Sequence, residues 1–156
     1  MEYRIENLDF EFEVAGVKKR VETSKAFEIV PKLWNEAEKN GLLKQLIDMS
    51  WENPKCKLES LLGISGETST IEGDEFNYML GVRYESTIPD GMEKILIPKS
   101  TWAVFPNGKN VWKRIYTEWL PTSGYDLADA PCIECFYPPG HMPHSEIWVP
   151  VAVDIK

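Results

Sequence analysis

From Leu8 to Glu22 the chain alternates apolar and polar residues, with Phe10, Phe12 and Val14 on one side and Asp9, Glu11 and Glu13 on the other. Successive strand side chains point to opposite faces, so this stretch predicts a half-buried strand. The period then changes. Ile29, Val30, Leu33, Trp34 and Ala37 recur at helical spacing, behind Thr23 or Ser24 as a cap and ahead of Asn40-Gly41 as a stop. Pro31 suits only a first helical turn, which predicts a start later than the cap. Strand patterns over 58–68 and 75–86, separated by the turn-rich STIEGD, complete a β-α-β-β order. The same order returns in the second half. Residues 93–108 read as a strand pair or one bent strand broken at Pro98. Residues 107–125 read as a helix with Val111, Ile115 and Trp119 in line, closed by Pro121 and Gly124, and strands follow at 131–137 and 146–153. The expected fold is α+β. It has two β-α-β-β modules, about 1–88 and 93–156, related by a pseudo-twofold axis within one domain spanning 1–156, with antiparallel sheets, helices on the outer face and a central cleft.

Composition narrows the partners. The 156 residues carry 25 acidic against 17 basic side chains, a formal charge of −8, and the longest basic run is Lys18–Arg20. Affinity for nucleic acid comes largely from neutralising phosphates, so direct binding to DNA or RNA is not expected. No apolar run is long enough for a membrane span, and the N-terminus lacks a basic start and an apolar block. Three cysteines form no disulfide framework, so free thiols in a reducing cytoplasm are expected. Six Trp, six Tyr and six Phe exceed what a core of this size needs, and some are expected to line a ligand surface.

The stretch CIECFYPPGHMPHSEIWVPV (132–151) contains a C-x2-C followed by H-x2-H. Thiolates and imidazoles together suit tetrahedral zinc. A zinc-binding C-x2-C, however, needs a tight turn, and here Cys132 and Cys135 lie in strand sequence, three apart and so on opposite faces. The reading is core or half-buried cysteines with His141 and His144 solvated in a loop, and no metal or other cofactor is expected. Thiol catalysis by Cys132 or Cys135 with either histidine has no support in the sequence. In the last strand, Ile147, Val149 and Val151 form the face that packs on the helix, and Glu146, Trp148 and Pro150 form the other. Glu134 shares a face with Cys132 and Phe136, opposite Ile133, Cys135 and Tyr137. An acid beside Trp148, on the face without a helix, is expected in the cleft. Burial would raise its pKa and suit it to attract a cation or to act as a general acid or base. The plainer alternative is a solvated Glu146 at a strand end. Trp112, Tyr116, Trp119 and Trp34 read as helix-to-sheet core.

The run ILIPKSTWAVFPNGKNVWKRIYTEWLPTSGYDLADAPCIECFYP…SEIWVPV, covering 95–151, resembles the GyrI-like small-molecule-binding domain, a relative of the effector-binding domains of AraC-type regulators. The first half agrees in element order, with weaker cues at 32–34 and 78–82. The resemblance implies an aromatic cleft between the two modules that takes lipophilic, often cationic or polycyclic, molecules. Glu146 matches the family's final-strand glutamate, and Trp102 and Trp148 match cleft-facing aromatics. Some members sense drugs for a DNA-binding partner domain. Others are free-standing, and some resemble hydrolases that open strained cyclopropane electrophiles. The sequence shows no helix-turn-helix segment, so a free-standing binding protein is the expectation. The candidate ligand set is Glu146, Trp102, Trp148, Phe136, Tyr137, Tyr78 and Tyr84. Hydrolysis in the same cleft, with Glu146 as the catalytic acid or base, is one alternative. Regulation of a macromolecular target such as a gyrase or transcription factor, which would need a protein partner, is another.

Overall fold

The computed structural model describes residues 1–52, 60–66, 73–138, 140 and 142–153. The strand predicted at 58–68 and the turn STIEGD therefore lie partly outside the described residues, as does His141. The first alternating stretch is realised as β2 (Phe12–Glu22), and a strand not predicted, β1 (Arg4–Leu8), precedes it and shares only Leu8 with that stretch. A 3-10 turn leads into α1 (Ala26–Lys39), and α2 (Leu42–Ser50) follows. Asn40-Gly41 does end the first helix. Gly41 adopts φ 88°, where a side chain would be strained, and Asn40 Oδ1 accepts the Leu42 N–H at 3.0 Å. Pro31 does not mark a late start, because it lies inside α1. The carbonyl it leaves without a donor belongs to Phe27, in an exposed first turn where the loss is tolerable.

β3 (Leu61–Ser65) and β4 (Glu75–Arg83) complete the first half. The second contains β5 (Glu93–Ile97), β6 (Ser100–Pro106), a third helix, β7 (Tyr125–Leu127), β8 (Cys132–Phe136) and β9 (Ser145–Val153). That helix runs from α3 (Val111–Arg114) through a π-helical stretch (Ile115–Trp119) into α4 (Leu120–Ser123), and Gly124 closes it at φ 81°. None of the described helices is long and apolar enough to cross a membrane.

The strands form one continuous sheet in the order β1-β6-β9-β8-β3-β4-β2-β5, with β7 added to β9. Outward from the β8–β3 junction, the second half runs β8, β9, β6, β1 and the first runs β3, β4, β2, β5. This mirrored order is the pseudo-twofold. The sheets of the two modules are joined edge to edge, and each lends its leading strand to the other: β1 pairs with β6, and β5 with β2.

Both sheet faces are covered. On one face α1 and α2 pack on Ala15, Val21, Leu80 and Val82, and the third helix packs on Ala103, Phe105, Ile147, Val149 and Val151. On the other, Phe12, Val14, Leu62, Ile64, Trp102, Ile133, Cys135 and Trp148 close on one another as a core without any helix. The alternation read from β9 holds: Ile147, Val149 and Val151 face the helix and Trp148 faces away.

Candidate functional site

The helix-free face is largely filled by its own side chains and leaves only a pocket of about 170 Å³ beside Ile64, Met79 and Ile97, and a larger space lies on the helical face. A cleft of about 870 Å³ sits over the β8–β3 junction. The first half contributes Ala26, Phe27, Val30 and Pro31 of α1 with Phe76 and Tyr78 of β4; the second contributes Val111, Trp112 and Tyr116 of the third helix with Cys132 and Glu134 of β8. The lining is mostly apolar, and Phe27, 80% exposed, stands on its rim.

The floor follows from strand register. Cys132 pairs with Ser65, which pairs with Tyr78, so three lining side chains lie in a row across β8, β3 and β4. Two residues along β8, Glu134 pairs with Gly63. A Cβ on Gly63 would lie 1.9 Å from the Tyr78 hydroxyl oxygen, so the missing side chain leaves the path by which the phenol crosses β3. The Tyr78 hydroxyl then donates to Glu134 Oε1 at 3.3 Å and accepts the Trp34 indole N–H at 3.0 Å. Gly63→Ala is expected to push Tyr78 off this path and lower stability by about 1–3 kcal/mol, the usual cost of overpacking, read from the shift in thermal midpoint.

Glu134 accepts from neutral donors and forms no ion pair among the described residues, although Lys113 lines the same cleft. Burial pushes its pKa up to about 7, and the Tyr78 hydroxyl and Trp112 indole N–H only partly offset this. Burial likewise raises Tyr78 well above its ordinary range, and the negative charge of Glu134 adds to the effect. Cys132, 3.3 Å from the Tyr116 hydroxyl, is pushed up to about 11 by burial, leaving a neutral thiol rather than a nucleophile. The Trp112 and Tyr116 rings stack nearly parallel, 7° apart with centroids at 6.4 Å, and both line the cleft.

A family model, the GyrI-like small molecule binding domain, matches residues 1–152. The chain belongs to this family. Among curated relatives, a DNA gyrase inhibitor from Erwinia billingiae is 30% identical over 67% of this chain and 77% of its own. In fold, the chain is similar to the SAV2435 protein solved bound to tetraphenylphosphonium, with TM-score 0.77, 19% identity, and coverage of 97% of this chain and 94% of that one. It is also similar to a putative bacterial transcription regulation protein from Staphylococcus aureus MU50, with TM-score 0.68, 20% identity, and coverage of 97% and 98%. The GyrI-like fold is thus shared across most of the chain, and the family is one of small-molecule binders.

Within this GyrI-like domain the residues expected at the site are dispersed. Tyr78 lines the cleft. Phe136 lies on the same sheet face but packs edge-on against Trp34 at 5.1 Å, outside the lining. Tyr84 is buried in the first module and donates to Glu52 at 2.7 Å. Trp102 and Trp148, 0% and 2% exposed, meet edge to face at 6.2 Å in the helix-free core. Glu146 does not open into the cleft. It is 3% exposed on the opposite face, bound by the Arg4 guanidinium and by the Tyr137 hydroxyl. Burial raises its pKa, but Arg4 and Tyr137 outweigh burial and hold the carboxyl below its ordinary value. The expectation of a raised Glu146 fails because β1, from the other half of the chain, brings Arg4 beside β6 and β9.

Glu134, Trp112 and Tyr116 are the cleft residues that the sequence reading passed over. One signal for Glu134 was available: it is an acid on the helix-covered face of a strand otherwise made of Cys, Ile and Phe.

Proposed function

We propose that this GyrI-like domain binds a lipophilic cation in the cleft between its halves, with Glu134 as the counter-charge. Residues 1–156 act here as one domain, and each module supplies one wall. The observation behind this reading is a carboxylate without a cationic partner among the described residues, set in the floor of an apolar cleft of about 870 Å³. A volume of that size suits a drug-sized ligand. The paired faces of Trp112 and Tyr116 offer a stacking wall, and a cation over an indole face adds about 0.5–2 kcal/mol. The tetraphenylphosphonium carried by the SAV2435 relative belongs to the same chemical class, a bulky apolar cation.

Charge selectivity separates this reading from plain hydrophobic capture. Tetraphenylphosphonium and tetraphenylborate have nearly the same shape and opposite charge. At pH 8 the phosphonium is expected to quench tryptophan fluorescence with at least about tenfold higher affinity than the borate, a difference of ~1.4 kcal/mol. Acidification through pH 7 should erode that preference as Glu134 takes up its proton. Equal affinities at pH 8 would reduce the site to an oily groove.

A further inference from the structure

Trp34 does not line the cleft but is hydrogen-bonded to a residue that does, Tyr78. It lies in the C-terminal half of α1, and its ring meets Tyr78 at 87° with centroids 6.5 Å apart. Its indole nitrogen is a donor only. A phenol has one proton, and its oxygen accepts from Trp34 at 3.0 Å, while that proton goes to Glu134 at 3.3 Å.

We infer that Trp34 is the positioning residue of the cleft: by donating to the Tyr78 hydroxyl, it turns that group's one proton onto Glu134 and keeps the carboxylate presented to an incoming cation. This rests on the proposed cation site and assigns a residue that would act at second hand. The other groups around Glu134 do not take over the task. Trp112, from the third helix, supplies a second donor to the carboxylate itself rather than to Tyr78. On β8 itself, Cys132 is a neutral thiol that bonds to Tyr116. Lys113 lines the cleft from an exposed position, and α1 with the 3-10 turn before it contributes Thr23, Ala26, Phe27, Val30 and Pro31, with no charge among them.

The test is Trp34→Phe, which deletes the N–H and keeps an aromatic ring. Two readouts are followed from pH 5 to 9: carboxyl carbon NMR of Glu134 without ligand, and tetraphenylphosphonium affinity. Without the Trp34 N–H the Tyr78 hydroxyl should hold its bond to the carboxylate less well, moving the Glu134 midpoint upward by about one pH unit. At pH 7 the phosphonium affinity should fall about fivefold, and at pH 9, where the carboxylate is ionised in both proteins, the difference should close. Tyr78→Phe should reproduce the shift, and the double variant should add nothing to it, as befits two links of one chain.

An unmoved midpoint in Trp34→Phe would overturn the inference, and so would a loss of affinity equal at every pH, which would make Trp34 only a packing residue. If Trp34→Phe does not fold, Tyr78→Phe decides, because an unmoved midpoint there removes the link through which Trp34 would act. Because the NMR titration needs no ligand, a shifted midpoint without phosphonium binding would keep the Trp34 assignment and end the cation proposal alone.

Discussion

Glu134→Gln should make this protein more stable in alkali and unable to tell a cation from an anion. The carboxyl has its pKa raised to about 7 by burial from an ordinary value of 4.5. Below about pH 4.5 it is protonated in both the folded and unfolded chain and contributes nothing to pH dependence. As the pH rises toward 7, the unfolded chain releases the proton more readily, and folding loses stability until the folded carboxyl ionises as well. The full shift corresponds to roughly 3 kcal/mol. Glutamine accepts hydrogen bonds less strongly from Tyr78 and Trp112, so the net gain is expected at about 1–3 kcal/mol at pH 8, and near zero at pH 4.5. For a chain of this size that is a rise of roughly 3–9 °C in thermal midpoint. In the same variant tetraphenylphosphonium should lose about tenfold or more in affinity at pH 8, with little change for tetraphenylborate. A protein that is better folded and worse at binding is the signature of a strained group kept for function. A variant that loses stability at pH 8 would instead make Glu134 a structural acid.

The two halves, their element order and the faces of β9 could be read from the sequence, because strand alternation and helical spacing are local signals. The location of the cleft was not, for a reason visible in two residues. Alternation put Trp148 and Glu146 on the face opposite the helix, and that is where they are. It does not say whether a face without helices is open. Here the joined sheet curves until Trp102, Trp148, Ile133 and Leu62 fill that side, and the gap opens instead between α1 and the third helix. Spacing by 3.6 residues places Trp112 and Tyr116 in the helix-to-sheet core with Trp119, and they do pack against it, but both also line the cleft, which spacing alone does not tell. Arg4 was invisible for a third reason: its partner Glu146 is 142 positions away, and only the exchange of β1 between halves brings them together.

Arg4→Met should therefore separate the two buried glutamates by function. It keeps most of the side-chain stem and removes the charge that holds Glu146, which is 3% exposed. An ionised carboxylate left there with neutral donors such as the Tyr137 hydroxyl but without the Arg4 charge is costly, on the order of 3 kcal/mol at pH 7, or roughly 6–12 °C in thermal midpoint. The pH dependence runs opposite to that of Glu134. In the parent protein the depressed pKa of Glu146 contributes stability above the unfolded carboxylate range, and this is lost as the pH falls through the folded value. In Arg4→Met the carboxyl can escape its cost by taking a proton, so the gap between the two proteins should be small in acid and widen toward neutrality. Adding Glu146→Gln to Arg4→Met should close most of that gap, since a neutral pair need not be charge-balanced. Tetraphenylphosphonium affinity should stay within about twofold, because the Arg4–Glu146 pair lies on the far side of the sheet from the cleft. A marked loss of phosphonium binding in Arg4→Met, with the fold intact, would return Glu146 to the ligand's path and take Glu134 out of it.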